Sequence, residues 1–338
     1  MEVLTINNII KKLRKTLRRI KNSELKFLNP YILKYLSPRQ IDYSKYLIIF
    51  GTGRSGTTWL AELINQVPNS VLIFEPLHSI QYQKFDESDL NLNEVIDPEE
   101  DLQDYYKFFE KIFSLKYFRK WETKFIQPKK LFKVDYYIFK FIRANLLINW
   151  LSNNFPLKKP VFIIRHPCAV VSSRMNLKWI PNKTKRDKFN KKFPQFTEIS
   201  SNLTTELELT SLSWCMNNYV PLFYNRDNSF IVVSYEGLII NPEKELKRIF
   251  ELWGMDYPNN ILYSHTIPSK TFNMNQHQRY VDKNEINSNK LLQRWKNELT
   301  KSQINTVLEI VSKSGMDFYS EDLEPDYKRL YGINPLNL

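Results

Sequence analysis

Residues 46–67 read YLIIFGTGRSGTTWLAELINQV, and three local patterns follow one another along them. The apolar run from Tyr46 to Phe50 is typical of a strand that is buried on both faces. A glycine-rich turn comes next, and apolar residues then recur at helical spacing from Trp59 until Pro68 ends the predicted helix. A strand, a glycine-rich turn and a helix in this order are the context that a phosphate-binding loop requires.

The glycine-rich turn itself has the composition of an anion-binding loop. Glycines let the backbone curl so that successive N–H groups point at one anion, and the N-terminus of the following helix adds partial positive charge. We therefore expect the phosphates of a nucleotide to contact Gly53, Arg54, Ser55, Gly56, Thr57 and Thr58.

The loop departs from the pattern of nucleotide triphosphatases, G-x-x-x-x-G-K-[ST]. Gly51 and Gly56 fit that pattern, but Thr57 occupies the position of its lysine, and the cation of this loop is Arg54. The apolar strand predicted over 161–164 is followed by Arg165, at a place where a Mg²⁺-binding aspartate would suit a triphosphatase. The sequence thus predicts that arginines bind the phosphates directly and that no metal is required.

Further apolar runs alternate with segments of helical spacing along most of the chain. We predict strands over 71–74, 131–137, 161–164 and 230–233, and helices over 141–150, after Pro167, over 242–253 and over 304–311. Alternation of this kind is typical of α/β proteins. We predict a three-layer, P-loop-like α/β fold in which helices flank a central, mostly parallel sheet.

The chain is predicted to form one main domain after a basic N-terminal segment. Within residues 1–45, apolar side chains from Ile6 to Ile20 recur at helical spacing among lysines and arginines. Such a helix suits a membrane surface, and a helix docked on its own domain fits the pattern as well. Residues 46–338 are the predicted domain. It has an irregular insertion near 79–130 and a second insertion near 180–200, in which the basic residues 182–192 are predicted to form a surface loop.

Composition indicates a folded protein with anionic ligands. Hydrophobic residues make up 42% of the chain, and the formal net charge of +13 favours partners that carry phosphate or sulfate groups. Cys168 and Cys215 form neither a disulfide framework nor a metal-ligand pattern, which fits a reducing compartment. No apolar run reaches about 18 residues, the length typical of a transmembrane helix, so none is predicted. We expect a cytoplasmic protein, with peripheral membrane contact through residues 1–22 as an addition.

A second motif carries a resemblance to a known family. Residues 162–174 read FIIRHPCAVVSSR and run from a predicted strand into a predicted helix. Together with RSGTTW at residues 54–59, this motif resembles the two nucleotide-binding motifs of sulfotransferases that use 3′-phosphoadenosine-5′-phosphosulfate (PAPS). The resemblance implies that the first loop binds the 5′-phosphosulfate and that Arg165 and Ser173 bind the 3′-phosphate.

Within that family the chain looks closest to the carbohydrate sulfotransferase branch. The supporting motifs are RSG at 54–56, FEPL at 74–77, SYEGL at 234–238, NP at 241–242 and RW at 294–295. The resemblance implies PAPS as co-substrate and a hydroxyl of a carbohydrate or small molecule as acceptor. The C-terminal glycine-rich motif of the aryl-type enzymes is missing, so the identity of the acceptor stays open.

Transfer of a sulfuryl group requires a base for the acceptor proton and stabilisation of charge on the leaving phosphate. Arg54 is the candidate for the second task. Glu75 is the first candidate for the base, because it follows a strand and ligands of open α/β sheets lie beyond the carboxyl ends of strands. His78 is the second candidate, since aryl-type enzymes use a histidine. The alternative for Glu75 is an ion pair with Arg54.

Two other functions compete with this interpretation. A P-loop kinase would use the glycine-rich turn with ATP, although Thr57 replaces the lysine that a kinase of that class needs. A non-enzymatic binder of nucleic acid or membranes would use the basic segments. Those segments lack the interleaved aromatic residues of a base-stacking surface, so we expect no nucleic-acid partner.

Overall fold

The computed structural model describes residues 26–78, 92, 95–96, 101–179, 183–225, 228–258, 261 and 288–332. Its strands are β1 (Tyr46–Gly51), β2 (Ser70–Phe74), β3 (Tyr136–Phe141), β4 (Val161–Ile164) and β5 (Ile231–Ser234). They form one sheet in the order β2-β3-β1-β4-β5, and every neighbouring pair is parallel. The predicted parallel sheet is confirmed.

Helices connect and cover the strands. In chain order they are α1 (Asn29–Leu36), α2 (Thr57–Ile64), α3 (Gln103–Phe113), α4 (Ile148–Asn154), α5 (Pro167–Met175), α6 (Lys183–Lys192), α7 (Gln195–Ser201), α8 (Glu206–Phe223), α9 (Tyr235–Ile240), α10 (Pro242–Leu252), α11 (Ser288–Glu298), α12 (Lys301–Lys313) and α13 (Tyr327–Tyr331). None of these described helices combines the length and hydropathy of a transmembrane span.

The sheet separates two layers of buried apolar side chains. Along β1, Tyr46, Ile48 and Phe50 belong to one cluster, whereas Leu47 and Ile49 belong to the other. Because successive side chains of a strand point to opposite faces, the two clusters lie on opposite sides of the sheet. Helices α3, α5, α8 and α12 contribute to the first cluster, and α2 and α10 to the second. The predicted three-layer α/β fold is therefore confirmed.

The predictions around β3 were wrong in their boundaries. The strand predicted over 131–137 lies at 136–141, and the helix predicted over 141–150 starts only at Ile148. Lys140 interrupts the apolar run, so the local pattern does not mark this segment as a buried strand. Pairing with β1 on one side and β2 on the other nevertheless makes β3 a central strand.

Two segments predicted to be irregular contain helices. The basic region from residue 182 to 192 was predicted as a surface loop, but α6 covers 183–192, because lysine and arginine favour helices. The predicted insertion 79–130 contains α3, which buries Phe108, Phe109 and Phe113 in the core. Its residues 79–91, 93–94 and 97–100 lie outside the described residues, as do residues 1–25 with the predicted basic helix.

The fold places the ends of all five strands at one edge of the sheet. Because β3 and β4 lie on opposite sides of β1, the chain changes direction there, and such a switch point opens a crevice beyond the carboxyl ends of the strands. The loop after β1, Glu75 after β2, Arg143 after β3 and Arg165 after β4 all follow strand ends. These residues form the candidate site.

Candidate active site

Two residues of the loop between β1 and α2 have a left-handed backbone conformation. Gly56 precedes α2 with a φ of 88°, and an added Cβ there would lie 2.4 Å from the ring of Tyr235. Arg54 also has a positive φ, of 79°, which residues with a Cβ rarely adopt. Turns of this kind bring backbone N–H groups to one side, where they can bind an anion.

The arginine after β1 and the arginine after β4 lie side by side. Arg165 donates from Nη1 to the backbone oxygen of Arg54 at 3.2 Å. Arg54 donates from Nε to the hydroxyl of Ser173, on α5, at 2.9 Å. The residues predicted for the two ends of one nucleotide are thus brought together in one place.

Two aromatic residues contact Arg165, and its Nε makes no hydrogen bond to the described residues. Its guanidinium carbon lies 4.3 Å from the centre of the Tyr235 ring, and Trp214 donates from Nε1 to its backbone oxygen at 3.1 Å. Nε of Arg165 is buried without a hydrogen-bond partner among the described residues. A buried donor without a partner costs about 1–3 kcal/mol. The guanidinium as a whole is only half-buried, so the side chain is still open to an anionic ligand.

Other predicted loop residues serve the loop itself. The hydroxyls of Ser55 and Thr52 lie 2.6 Å apart in a hydrogen bond, and Ser55 is fully buried. Thr57 is buried beside Gly51, where an added Cβ would lie 2.6 Å from its methyl carbon. An added Cβ at Gly53 would overlap the ring of Trp179. The close packing explains why glycine occupies these two positions.

Arg174 is a buried cation beneath the loop that the sequence reasoning missed. It donates to the backbone oxygen of Gly53 from Nε at 3.4 Å and from Nη2 at 3.3 Å. Burial, and then the charge of Arg54, lower the pKa of Arg174 to about 10. Its position directly after Ser173 in the second motif was the available signal.

The loop therefore carries an excess of positive charge. Burial and the charges of Arg165 and Arg294 lower the pKa of Arg54. Arg294 pairs with Glu298 through Nε and Oε1 at 2.5 Å. Among the described residues no carboxylate lies within ion-pair distance of Arg54, Arg165 or Arg174, so a ligand with several negative charges fits this place.

A second cluster lies where β2 and β3 end. Nζ of Lys140 donates to Oε1 of Glu75 at 2.5 Å and to the hydroxyl of Thr58 at 2.9 Å. Lys140 is 2% exposed, and burial lowers its pKa to about 8 although Glu75 opposes the shift. Glu75 thus pairs with Lys140 and not, as the alternative had it, with Arg54. Sequence reasoning missed Lys140 because β3 was placed too early; a single lysine within YYIFKF was the signal.

Three more basic side chains surround Glu75. His78 packs on Trp121 with 4.7 Å between ring centres, and burial, followed by the charge of Arg143, lowers its pKa. The charge of Glu75 also acts on Arg143 and Lys124. The carboxylate therefore lies in a strongly basic environment.

Helix α5 begins as the sequence predicted, with Pro167 in its first turn. His166 caps it, because its Nδ1 accepts a hydrogen bond from the N–H of Cys168 at 3.2 Å. Burial lowers the pKa of His166 to about 3, so its ring stays neutral at physiological pH. The described residues contain no group of three or more histidine, cysteine, aspartate and glutamate side chains that could hold a metal ion.

Several solved structures resemble the chain at low sequence identity. The sulfotransferase domain of the Synechococcus PCC 7002 olefin synthase is 17% identical over 84% of this chain and 98% of that chain, with a TM-score of 0.48. The sulfotransferase domain from the curacin biosynthetic pathway is 13% identical over 80% and 96%, with a TM-score of 0.42. Mouse sulfotransferase SULT7A1 complexed with PAP is 16% identical over 84% and 88%, with a TM-score of 0.40.

Comparison with curated proteins finds no match. The family model described as the sulfotransferase domain matches residues 44–318. This range includes all five strands and both arginine-bearing turns, so the match covers the whole candidate site.

Proposed function

Because the chain belongs to the sulfotransferase domain family, we propose that it transfers a sulfuryl group from PAPS to a hydroxyl of a carbohydrate or small-molecule acceptor. The observation that carries the choice of donor is the contact between Arg165 and Arg54, with Ser173 joined to Arg54. A nucleotide with phosphates at both ends gives each of the two turns an anion to bind. ATP lacks a 3′-phosphate and would leave Arg165 and Ser173 without a ligand.

The residues present fit this donor. The loop after β1 offers backbone N–H groups and Arg54 to a 5′-phosphosulfate, and the half-buried guanidinium of Arg165 offers N–H donors to a 3′-phosphate. Three arginines without carboxylate partners among the described residues match the negative charge of such a nucleotide. The family assignment and Thr57 in the lysine position both argue against the kinase alternative.

In the proposed mechanism Glu75 acts as the base and Arg54 stabilises the leaving group. Glu75 takes the proton of the acceptor hydroxyl while the hydroxyl oxygen bonds to sulfur. Arg54 donates to the bridging oxygen as the bond between sulfur and that oxygen breaks, which stabilises the charge on the 5′-phosphate. Lys140 links Glu75 to the start of α2, because it donates hydrogen bonds to both Glu75 and Thr58.

Geometry favours Glu75 over His78 for the base. Lys140 occupies Oε1 of Glu75, whereas Oε2 makes no hydrogen bond to the described residues and is free to accept a proton. The ring of His78 is packed on Trp121, farther along the turn. Substitution of Glu75 by Gln should abolish transfer and leave the Kd of adenosine 3′,5′-bisphosphate within about twofold, since the binding turns are unchanged. Glu251→Gln on the exposed side of α10 is the matched control, and normal turnover of the Glu75 variant would refute the assignment.

The donor proposal is tested by the affinity for two nucleotides in the presence of EDTA. The wild type should bind adenosine 3′,5′-bisphosphate more tightly than adenosine 5′-phosphate, because Arg165 and Ser173 contact the 3′-phosphate. Arg165→Gln should weaken binding of the bisphosphate by about 10- to 100-fold, as expected for loss of a charge-assisted hydrogen bond, and change the monophosphate little. Arg39→Gln, an exposed arginine far from the site in sequence, is the control. Equal affinity of the wild type for the two nucleotides would refute the proposal.

A peripheral membrane contact is proposed for residues 1–22, on the basis of their basic amphipathic pattern. Full-length protein should float with vesicles that contain phosphatidylserine. Reversal of three charges, at Lys11, Arg14 and Arg18, should abolish flotation and leave nucleotide affinity unchanged. Flotation that survives the reversal would contradict this contact.

A further inference from the structure

The side chain of Lys124 is held over aromatic rings beside the candidate base. Its Nζ lies 3.5 Å from the centre of the Trp121 ring, 3.8 Å from that of Phe74 and 5.0 Å from that of Phe125. Ring faces attract a cation but accept its N–H groups poorly compared with oxygen. Among the described residues no oxygen accepts a hydrogen bond from Nζ, so its donors remain available for a ligand.

Arg143 is a second cation without an anionic partner. It follows β3, is half-buried, and forms no hydrogen bond or ion pair with the described residues. Burial lowers its pKa, and only the nearby charge of Glu75 opposes that shift. It lies two residues after the end of β3, which pairs with β2, and the N–H of Glu75 donates to the backbone oxygen of Lys140 at 3.1 Å. Arg143 is therefore near the turn from residue 75 to 78, and its charge also lowers the pKa of His78.

The carboxylates of this region form no ion pair with either cation. Glu75 is already bound to Lys140, whose Nζ lies 4.1 Å from the centre of the same Phe74 ring that Lys124 covers. Glu122 is buried and accepts a hydrogen bond from the N–H of Arg119 at 2.8 Å, and burial raises its pKa. Lys124 and Arg143 therefore both lack a carboxylate within ion-pair distance among the described residues, and only the more distant charges of Glu75 and Glu122 act on Lys124.

These cations and the proposed donor site lie at the same edge of the sheet, on opposite sides of β1. Arg165 and Ser173 follow β4, on one side of β1, whereas Glu75, Lys124 and Arg143 surround the ends of β2 and β3, on the other side. The two cations therefore lie where an acceptor would approach Glu75.

We propose that the acceptor carries an anionic group close to the hydroxyl that is sulfated, and that Lys124 and Arg143 bind this group. The inference rests on the proposed function and specifies its acceptor class. An anion here would accept hydrogen bonds from the unused N–H groups and offset the cost of burying two cations. Carboxylate, sulfate and phosphate share this chemistry.

Matched pairs of hydroxyl compounds distinguish these anions from one another and from neutral acceptors. The pairs are p-nitrophenyl glucuronide and p-nitrophenyl glucoside, galactose 6-sulfate and galactose, and glycerol 3-phosphate and glycerol. The kcat/KM for formation of adenosine 3′,5′-bisphosphate from PAPS is measured with each compound. At least one charged member should exceed its neutral partner by about tenfold or more, the effect of one charge-assisted hydrogen bond.

Substitution tests whether the two cations cause this preference. Lys124→Gln and Arg143→Gln should raise the KM of the preferred charged compound about tenfold and change the KM of its neutral partner little. Lys120→Gln, an exposed lysine in the same segment, should retain the preference. An unchanged Kd for adenosine 3′,5′-bisphosphate shows that each variant is folded.

Equal rates for both members of every pair, including no reaction with any of them, would overturn the inference. A preference that survives in both variants would overturn it as well. If the wild type binds the bisphosphate and lacks the charge preference, only the acceptor class is wrong. If the wild type fails to bind the bisphosphate, the proposed function fails together with the inference.

Discussion

Two residues with proposed chemical roles adopt a backbone that disfavours their side chains. Arg54 has a φ of 79° and Glu75 a φ of 46°. For residues other than glycine the left-handed region costs about 1 kcal/mol or more, because Cβ crowds the neighbouring carbonyl. Glycine would remove this strain at either position but would also remove the guanidinium or the carboxylate. Retention of the side chain at both positions fits a role in the reaction.

The strain at Arg54 predicts an order of stability between two inactive variants. Arg54→Gly and Arg54→Ala both lack the guanidinium and should lose transfer. The glycine variant should have the higher free energy of unfolding, by up to about 1 kcal/mol, because glycine accepts the positive φ without a clash. Urea unfolding of the two variants measures the difference. An alanine variant that is as stable as the glycine variant would contradict strain at this residue.

Lys140 predicts a limit to the reaction at alkaline pH. Burial lowers its pKa to about 8 from the ordinary 10.5, so the ammonium that binds Glu75 and Thr58 is lost near pH 8 instead of near pH 10.5. The kcat of the wild type should therefore fall as the pH rises through about 8. Lys140→Met should lower kcat by about 100-fold, a typical cost of losing one positioned charge, and should lack this alkaline decrease. An alkaline decrease that persists in the Lys140 variant would assign it to another group.

At the scale of elements, a buried polar cluster joins the start of α5 to the C-terminal part of the fold. Oε1 of Glu236, on α9, accepts from the N–H of His166 at 2.9 Å, and Oε2 accepts from the hydroxyl of Tyr319 at 3.0 Å. The ring of His166 stacks on Trp295, on α11, with 4.4 Å between centres. Since His166 directly follows Arg165, this cluster fixes the direction in which the arginine leaves β4.

The cluster makes stability depend on pH in a defined direction. Burial raises the pKa of Glu236 to about 7 from 4.5, so the native state holds its proton more tightly than the unfolded state. The stabilisation of the native state by this bound proton is fully present below pH 4.5 and is lost as the pH rises through about 7. Glu236→Gln retains a carbonyl oxygen for His166 and cannot ionise. Between pH 5 and pH 8.5 the wild type should lose about 2 kcal/mol of unfolding free energy relative to the variant, measured by urea unfolding. If the unfolding free energies of the wild type and the variant changed with pH in parallel, Glu236 would not be the group responsible.

The sequence predicted those elements whose local pattern agrees with their environment. β1, β2 and β4 are uninterrupted apolar runs, and the residues that follow their ends could therefore be assigned to one edge of the sheet. β3 could not be located correctly, because Lys140 is a buried charge inside a central strand and its environment is set by Glu75 and Thr58. Arg174 was missed for a related reason, since only the folded loop brings the oxygen of Gly53 to its guanidinium.

At the scale of the whole molecule, the sheet order arranges the proposed site into two halves. β1 and β4 carry the arginine turns, and β3 and β2 carry the lysine and the carboxylate on the other side. Lys140 crosses the boundary, because it extends from β3 to both Thr58 and Glu75. The start of α2 therefore contacts both halves, so a displacement of α2 would affect the proposed donor site and the proposed base together.

The net charge of +13 predicts how salt affects donor binding. The field of the whole molecule attracts a nucleotide with several negative charges from a distance, and ions screen this attraction over about 10 Å at 0.1 M salt. The side chains of Arg54 and Arg165 are half-buried, so their proposed contacts with the nucleotide would be less screened. For adenosine 3′,5′-bisphosphate in stopped-flow measurements, the association rate should fall about tenfold between 20 and 200 mM salt, while the dissociation rate changes less than about twofold. If salt changed the dissociation rate instead, the two arginines would have to be open to solvent while the nucleotide is bound. That result would contradict the half-buried position of both side chains.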